Sequence, residues 1–281
     1  MKNIKLVLKS TLLPIENRTF APSSVNHNMK FLSTVCLLLF IQFTSLAETA
    51  TDSTKKEIQF ATTALITNNG ISVVPIFTLG KPATIINFTV GRKFTFEPEF
   101  RVSLEGKPWS FIYWFRYKLA KTSKFTWSIG AHPAIIFKTI PVTINGNNEQ
   151  VLRAQRFVAA EMAQNYRFNK HVNLGFYYLV GAGSVENKTK PTNLLTLRGG
   201  YNNVDLGKGF IAGVNSQLIY LFTNGEEGSY VNASVTLTHK QSPVTLSYFY
   251  NKPINTSITG GKDPVWNVAA TYAFNKMFSM K

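Results

Sequence analysis

From Ile71 to Asn275 the chain alternates apolar and polar side chains residue by residue. Successive side chains of an extended strand point to opposite faces, so this period of two fixes strands rather than helices. Near the C-terminus, Trp266, Val268, Ala270, Tyr272 and Phe274 share one face, while Asn267, Ala269, Thr271, Ala273 and Asn275 share the other. Val231–Leu237, Val172–Tyr178, Phe125–Ile129 and Phe94–Phe100 repeat the split. About twelve such segments fit, each near the ~10 residues that a tilted membrane strand needs. The fold class expected is all-β: a transmembrane antiparallel up-and-down β-barrel of about twelve strands.

A soluble sandwich would alternate too, with its greasy face turned inward. Three features favour the barrel. The strands are many and no helix interrupts them. Aromatics stand at strand ends (Trp109, Tyr117, Tyr201, Trp266), where an interfacial girdle would place them. The third feature is an export signal. Phe31–Phe43 is too short for a membrane helix, but Met29-Lys30 before it and Ser45-Leu46-Ala47 after it read as a secretory leader cleaved after Ala47. Residues 1–28, with Pro14 and a polar stretch, make a poor leader, which points to Met29 as the translation start. Cys36, the single cysteine, falls in the part removed, so the mature chain carries no thiol chemistry. The net charge of +16 becomes +12 after cleavage, from 25 basic and 13 acidic residues. These charges are scattered between strands rather than clustered, so no nucleic-acid partner is expected.

The organisation expected is 29–47 signal peptide, 48–70 periplasmic or lumenal lead-in, 71–275 barrel and 276–281 tail. Ile58–Leu65 is a thirteenth strand-like segment, assigned to the lead-in because bacterial barrels usually have even strand counts. Connections should alternate between short turns (Phe168–Lys170, Lys240–Ser242) and longer external loops (Pro141–Gln150, Pro253–Pro264). Pro98 removes a ladder donor and calls for a bulge or a rim position.

The leader, the alternating strands and the Trp266–Phe274 closing strand together resemble the small outer-membrane β-barrel proteins of the Bacteroidota. The resemblance implies residence in a Gram-negative outer membrane, contact with its lipid and lipopolysaccharide, and insertion by the barrel-assembly machinery. Lys276–Lys281 depart from a chain that ends on its last aromatic.

Charged residues on the inward face form the candidate site: Glu97, Glu99, Arg101, Arg116, Glu161, Arg167 and Arg198. A two-residue loop at Gly106-Lys107 would set Glu97 opposite Arg116, Glu99 opposite Trp114 and Arg101 opposite Ile112. Such a cluster serves either as a selectivity lining or as ion pairs filling a narrow lumen. His132, Asn215 and Gln217 should also face inward. His132, His171 and His239 lack partners at metal-ligand spacing, so no metal or cofactor is expected. Ser128 and His132 share a face, but their Cα atoms lie about 13 Å apart. Gly181-Ala182-Gly183 reads as a strand end or turn, and Glu226-Glu227 as a loop tip. Three functions remain open: a weakly anion-selective, porin-like pore, a non-conducting structural or interaction barrel, and an outer-membrane lipid-modifying enzyme.

Overall fold

The computed structural model describes residues 57–144, 147–185 and 188–279; the leader and the upstream extension lie outside the described residues. The first four strands are β1 (Glu57–Thr67), β2 (Ala83–Gly91), β3 (Phe94–Ser103) and β4 (Pro108–Lys121). Next come β5 (Phe125–Ile144), β6 (Asn147–Arg167), β7 (Val172–Val185) and β8 (Lys188–Gly207). The last four are β9 (Phe210–Thr223), β10 (Glu226–His239), β11 (Val244–Thr256) and β12 (Val265–Ser279). Each pairs antiparallel with its chain neighbours and β1 pairs with β12, which closes a twelve-stranded barrel.

The expected number of strands is met, but their membership differs at both ends. Glu57–Thr67, assigned to the lead-in, is the strand that closes the barrel, in register from Glu57↔Ser279 to Thr67↔Ala269. Its alternation is partial: Phe60, Ala64 and Ile66 face out with Thr62, while Gln59, Thr63 and Thr67 face in with Ala61 and Leu65. The expected tail is likewise strand through Ser279, because β1 offers Ile58 to Phe60 as partners for Phe278 to Lys276. Conversely, Ile71–Leu79 is no strand. Pro75 lacks a backbone donor and opens a single 3-10 turn, Pro75–Phe77.

Both described chain ends lie at one end of the barrel, here the turn end, which carries five short connections: 92–93, 122–124, 168–171, 208–209 and 240–243. The opposite, loop end carries the two longest described connections, 68–82 and 257–264. Pro141–Gln150 is not an irregular loop. β5 and β6 remain paired out to Ile144↔Asn147, well beyond the last pairing of β5 with β4, so they project as a two-stranded ribbon. Gly181-Ala182-Gly183 lies inside β7, and Glu226-Glu227 opens β10 after a tight turn in which Asn224 and Gly225 both take positive φ.

Pro98 sits in mid-strand facing out, with no register shift. The ladder to β2 skips Phe88 and Thr89 beside it, resuming from Asn87↔Glu99 at Val90↔Phe96. The outer face is apolar from strand to strand. Leu197, Val214, Leu218, Val235, Leu246 and Val268 are each about half exposed. Tyr117, Tyr201 and Trp266 stand on it as expected. Trp109 does not: it is the extra residue where the β3–β4 register shifts, and it turns inward, buried under Arg101.

Candidate functional site: the barrel lumen

Eight strands already give a barrel whose interior side chains just fill it, so twelve enclose space that water or a segment must occupy. Here residues 68–82 fold into the loop-end half. Val74 is completely buried, in a core with Leu194, Ile219, Leu221, Tyr230 and Ile258, and Val73, Ile76 and Phe77 pack against it. Each fully buried aliphatic side chain contributes about 1.5–3 kcal/mol. The segment closes on itself through Gly70 N–H to Lys81 O (2.8 Å) and Leu79 N–H to Gly70 O (2.7 Å). It is tied to the wall by Asn251 Nδ2 donating to Val73 O (3.2 Å) and by Asn69 Nδ2 donating to Trp266 O (3.2 Å).

Beneath this segment lies the charged cluster. The inward faces are those expected, but the β3–β4 register is displaced by two residues: Glu97 stands opposite Trp114, Glu99 opposite Ile112 and Arg101 opposite Ser110. The hairpin connection is four residues, Leu104–Lys107, closed by Gly106 N–H to Ser103 O (2.9 Å), and Trp109 adds a bulge. A shift of two preserves which face each side chain takes, so the cluster survives the error. Arg116 now reaches Glu97 diagonally.

Arg116 is the hub. Its guanidinium donates to Glu97 on one side and to Glu161 on the other, and it stacks over Trp114 at 4.1 Å from the ring centre. Glu97 is further held by the Thr95 hydroxyl (2.7 Å), and Glu161 by the Tyr177 hydroxyl (2.7 Å). Arg198 lies over the Tyr177 ring at 4.4 Å. Arg101 pairs with Glu99 and donates to Ser72 Oγ (2.9 Å), which couples the cluster to the inserted segment. Gly130 makes the Arg116–Glu161 contact across β5 feasible: a Cβ there would lie 2.9 Å from Phe115 O and 3.0 Å from both Arg116 Cγ and Glu161 Oε1. His132 is buried against Trp114, with ring centres 3.7 Å apart. A cavity of about 320 Å³ remains among Asn87, Thr89, Glu97, Glu99, Trp114 and Arg116.

Six of the seven charged residues expected in the site therefore assemble. Arg167 does not. It ends β6 at the turn end, exposed, with its backbone bonded to Lys124 O (2.7 Å). Asn215 faces inward and exchanges amide hydrogen bonds with Asn202 (2.9 and 3.2 Å), and Gln217 stands opposite Arg198. Sequence reasoning missed Ser72, Tyr177 and Gly130 as parts of the network. The alternation already placed Tyr177 and Gly130 on the inward face; Ser72 was assigned to a strand that does not form. Among the described residues no group of three metal-ligating side chains occurs.

No protein-family model and no curated protein matches the sequence. Solved structures to which the chain is similar include a loop-deletion mutant of OmpT, an outer membrane protein of Vibrio cholerae (9% identity, 79% of this chain and 100% of that one, TM-score 0.43). The β domain of the Bordetella autotransporter BrkA (10%, 78% and 98%, 0.43) and the NanC porin (9%, 78% and 99%, 0.42) are similar to the same extent. The chain folds as a closed twelve-stranded antiparallel β-barrel.

Proposed function

We propose that the protein is an outer-membrane barrel that is closed at rest and serves as a structural or interaction component of that membrane. The membrane reading is supported by the outer face. A belt of half-exposed Leu, Val, Phe and Tyr running around the whole barrel far exceeds the few hundred Å² of contiguous apolar surface that soluble monomers tolerate. The turn end, which carries the chain ends, would face the periplasm. Lipid and lipopolysaccharide would contact the belt and its loop-end rim. The barrel-assembly machinery would read β12 with its outward Trp266, Val268, Tyr272 and Phe274.

The observation that carries the closed state is the dry core inside the lumen. Val74, Leu221, Tyr230 and Ile258 have no exposed surface, whereas a conducting pore keeps a continuous file of water. The charged cluster then acts as internal structure, each Arg–Glu pair satisfying groups that burial would otherwise leave costly. One observation favours a gated pore for small anions as a second reading. Residues 68–82 are an insertion between β1 and β2, and the barrel ladder does not depend on them. Their withdrawal would expose Arg101 and open a path past Arg116 and Arg198. Carbonate extraction and heat-shifted gel migration test the membrane reading: a mature chain washed from membranes by carbonate and unaffected by boiling is not a membrane barrel.

A further inference from the structure

The two ends of the barrel differ in charge. Every one of the five turns at the turn end carries a lysine or arginine: Arg92 and Lys93, Lys124, Lys170, Lys208 and Lys240. All six are exposed, and none of the five turns contains an acid. The described connections at the loop end nearly balance instead, with Lys81, Lys107 and Lys262 against Glu105 and Asp263. A general need for solubility would not confine the excess to one end.

A second feature stands directly beside these turns. On the outward face, Phe94, Tyr117, Tyr166, Tyr201 and Phe210 form an arc of exposed aromatics from β3 to β9 at the strand ends that lead into or out of them, and the exposed Phe168 adds to it from the turn after β6. Lys93 Nζ lies 5.3 Å from the centre of the Tyr117 ring, and at the same end Lys276 Nζ lies 5.3 Å from that of Phe278. Aromatic rings of this kind sit at the level of lipid head groups. The ammonium and guanidinium groups one step beyond are therefore placed at lipid phosphates. Lys240 has one counter-ion, Asp205 (2.7 Å), also exposed and at the strand end.

We infer that the turn end is a binding surface for anionic phospholipid head groups, a collar that recruits them to the periplasmic leaflet around the barrel. The inference rests on the membrane reading above. Recognition is electrostatic and lies outside the bilayer core, so it weakens with salt.

The test uses the refolded mature chain in nanodiscs of equal phosphatidylcholine and phosphatidylglycerol, released into mild detergent, with the retained lipids read by native mass spectrometry. Phosphatidylglycerol is expected in about tenfold excess over phosphatidylcholine, falling in high salt. The variant R92Q/K93Q/K124Q/K170Q/K208Q/K240Q should approach parity, and the milder K124Q/K170Q/K208Q should lie between. K81Q/K107Q/K262Q at the loop end should leave the excess unchanged. Equal retention of both lipids by the native chain would overturn the inference, as would an excess that survives in both turn variants. Displacement of the phosphatidylglycerol by equimolar lipopolysaccharide would also overturn it, since the collar would then read the other leaflet. Insertion without lipid preference defeats this inference alone; a chain that never enters the discs defeats the membrane reading with it.

Discussion

The two halves of the lumen are built by the same strands yet have opposite interiors. Towards the loop end the inward residues of β7 to β10 are Leu179, Leu194, Ile219, Leu221 and Tyr230, packed dry around Val74. Towards the turn end the same strands present Asn173, Gly200, Asn215, Ser234 and Thr236, with no described segment among them. An apolar inward face of a wide barrel cannot be left to water, so it demands an inserted partner. A polar one can stay wet. The Arg116 network lies where the two regimes meet, and Arg101–Ser72 joins it to the inserted segment.

That boundary can be broken at its hub. Arg116→Ala leaves Glu161, whose side chain is 2% exposed, and Glu97 without their cation. Loss of one partner from such a pair should cost about 3–5 kcal/mol, read by urea unfolding of the refolded barrel. The triple variant R116M/E97Q/E161Q should recover most of the loss, because no buried charge then stands alone. Gly130→Val tests the same junction through space rather than charge. Its side chain would press on Phe115 O and wedge Arg116 from Glu161, for an expected cost of about 1–3 kcal/mol. The equivalent change at Gly199, which faces out with nothing within 4 Å, should be nearly silent in the same assay.

The smallest effect lies at the loop-end rim, where Lys81 donates to Glu105 at 3.0 Å. That hydrogen bond, and then the Lys81 charge, hold the Glu105 carboxyl below the usual carboxylate range. A folded pKa below the unfolded one stabilises the fold above the unfolded value and ceases to do so as pH falls through the folded one. Glu105→Gln should therefore shift the midpoint slightly at pH 7 and leave it unchanged near pH 2. Both partners are half exposed, so the shift should also fade in high salt.

Alternation made most strands legible and β1 only in part: in Gln59–Thr67 the outward Thr62 and the inward Ala61 and Leu65 break the pattern, and the usual even strand number counted against it. It also gave the inward charges, because a register slip of two leaves faces intact. It could not give the slip itself, which depends on the loop at Leu104–Lys107 and the bulge at Trp109. Nor did it give the inserted segment, although a trace was present. In Leu194-Leu195 and in Leu218 to Phe222 the alternation lapses into continuous apolar runs. A strand with lipid on one face and a packed core on the other has no polar face to show. Arg167 was misplaced because period two gives a face but not a depth: on the inward side of β6, Glu161 lies in mid-barrel and Arg167 at the rim.

The most direct test is conductance in planar bilayers, comparing the intact mature chain with a variant in which residues 71–79 are replaced by a short glycine–serine link. Closure by the inserted segment predicts silence from the intact chain, verified as inserted, and discrete steps from the variant. Steady open steps from the intact chain, equal in size to those of the variant, would contradict it.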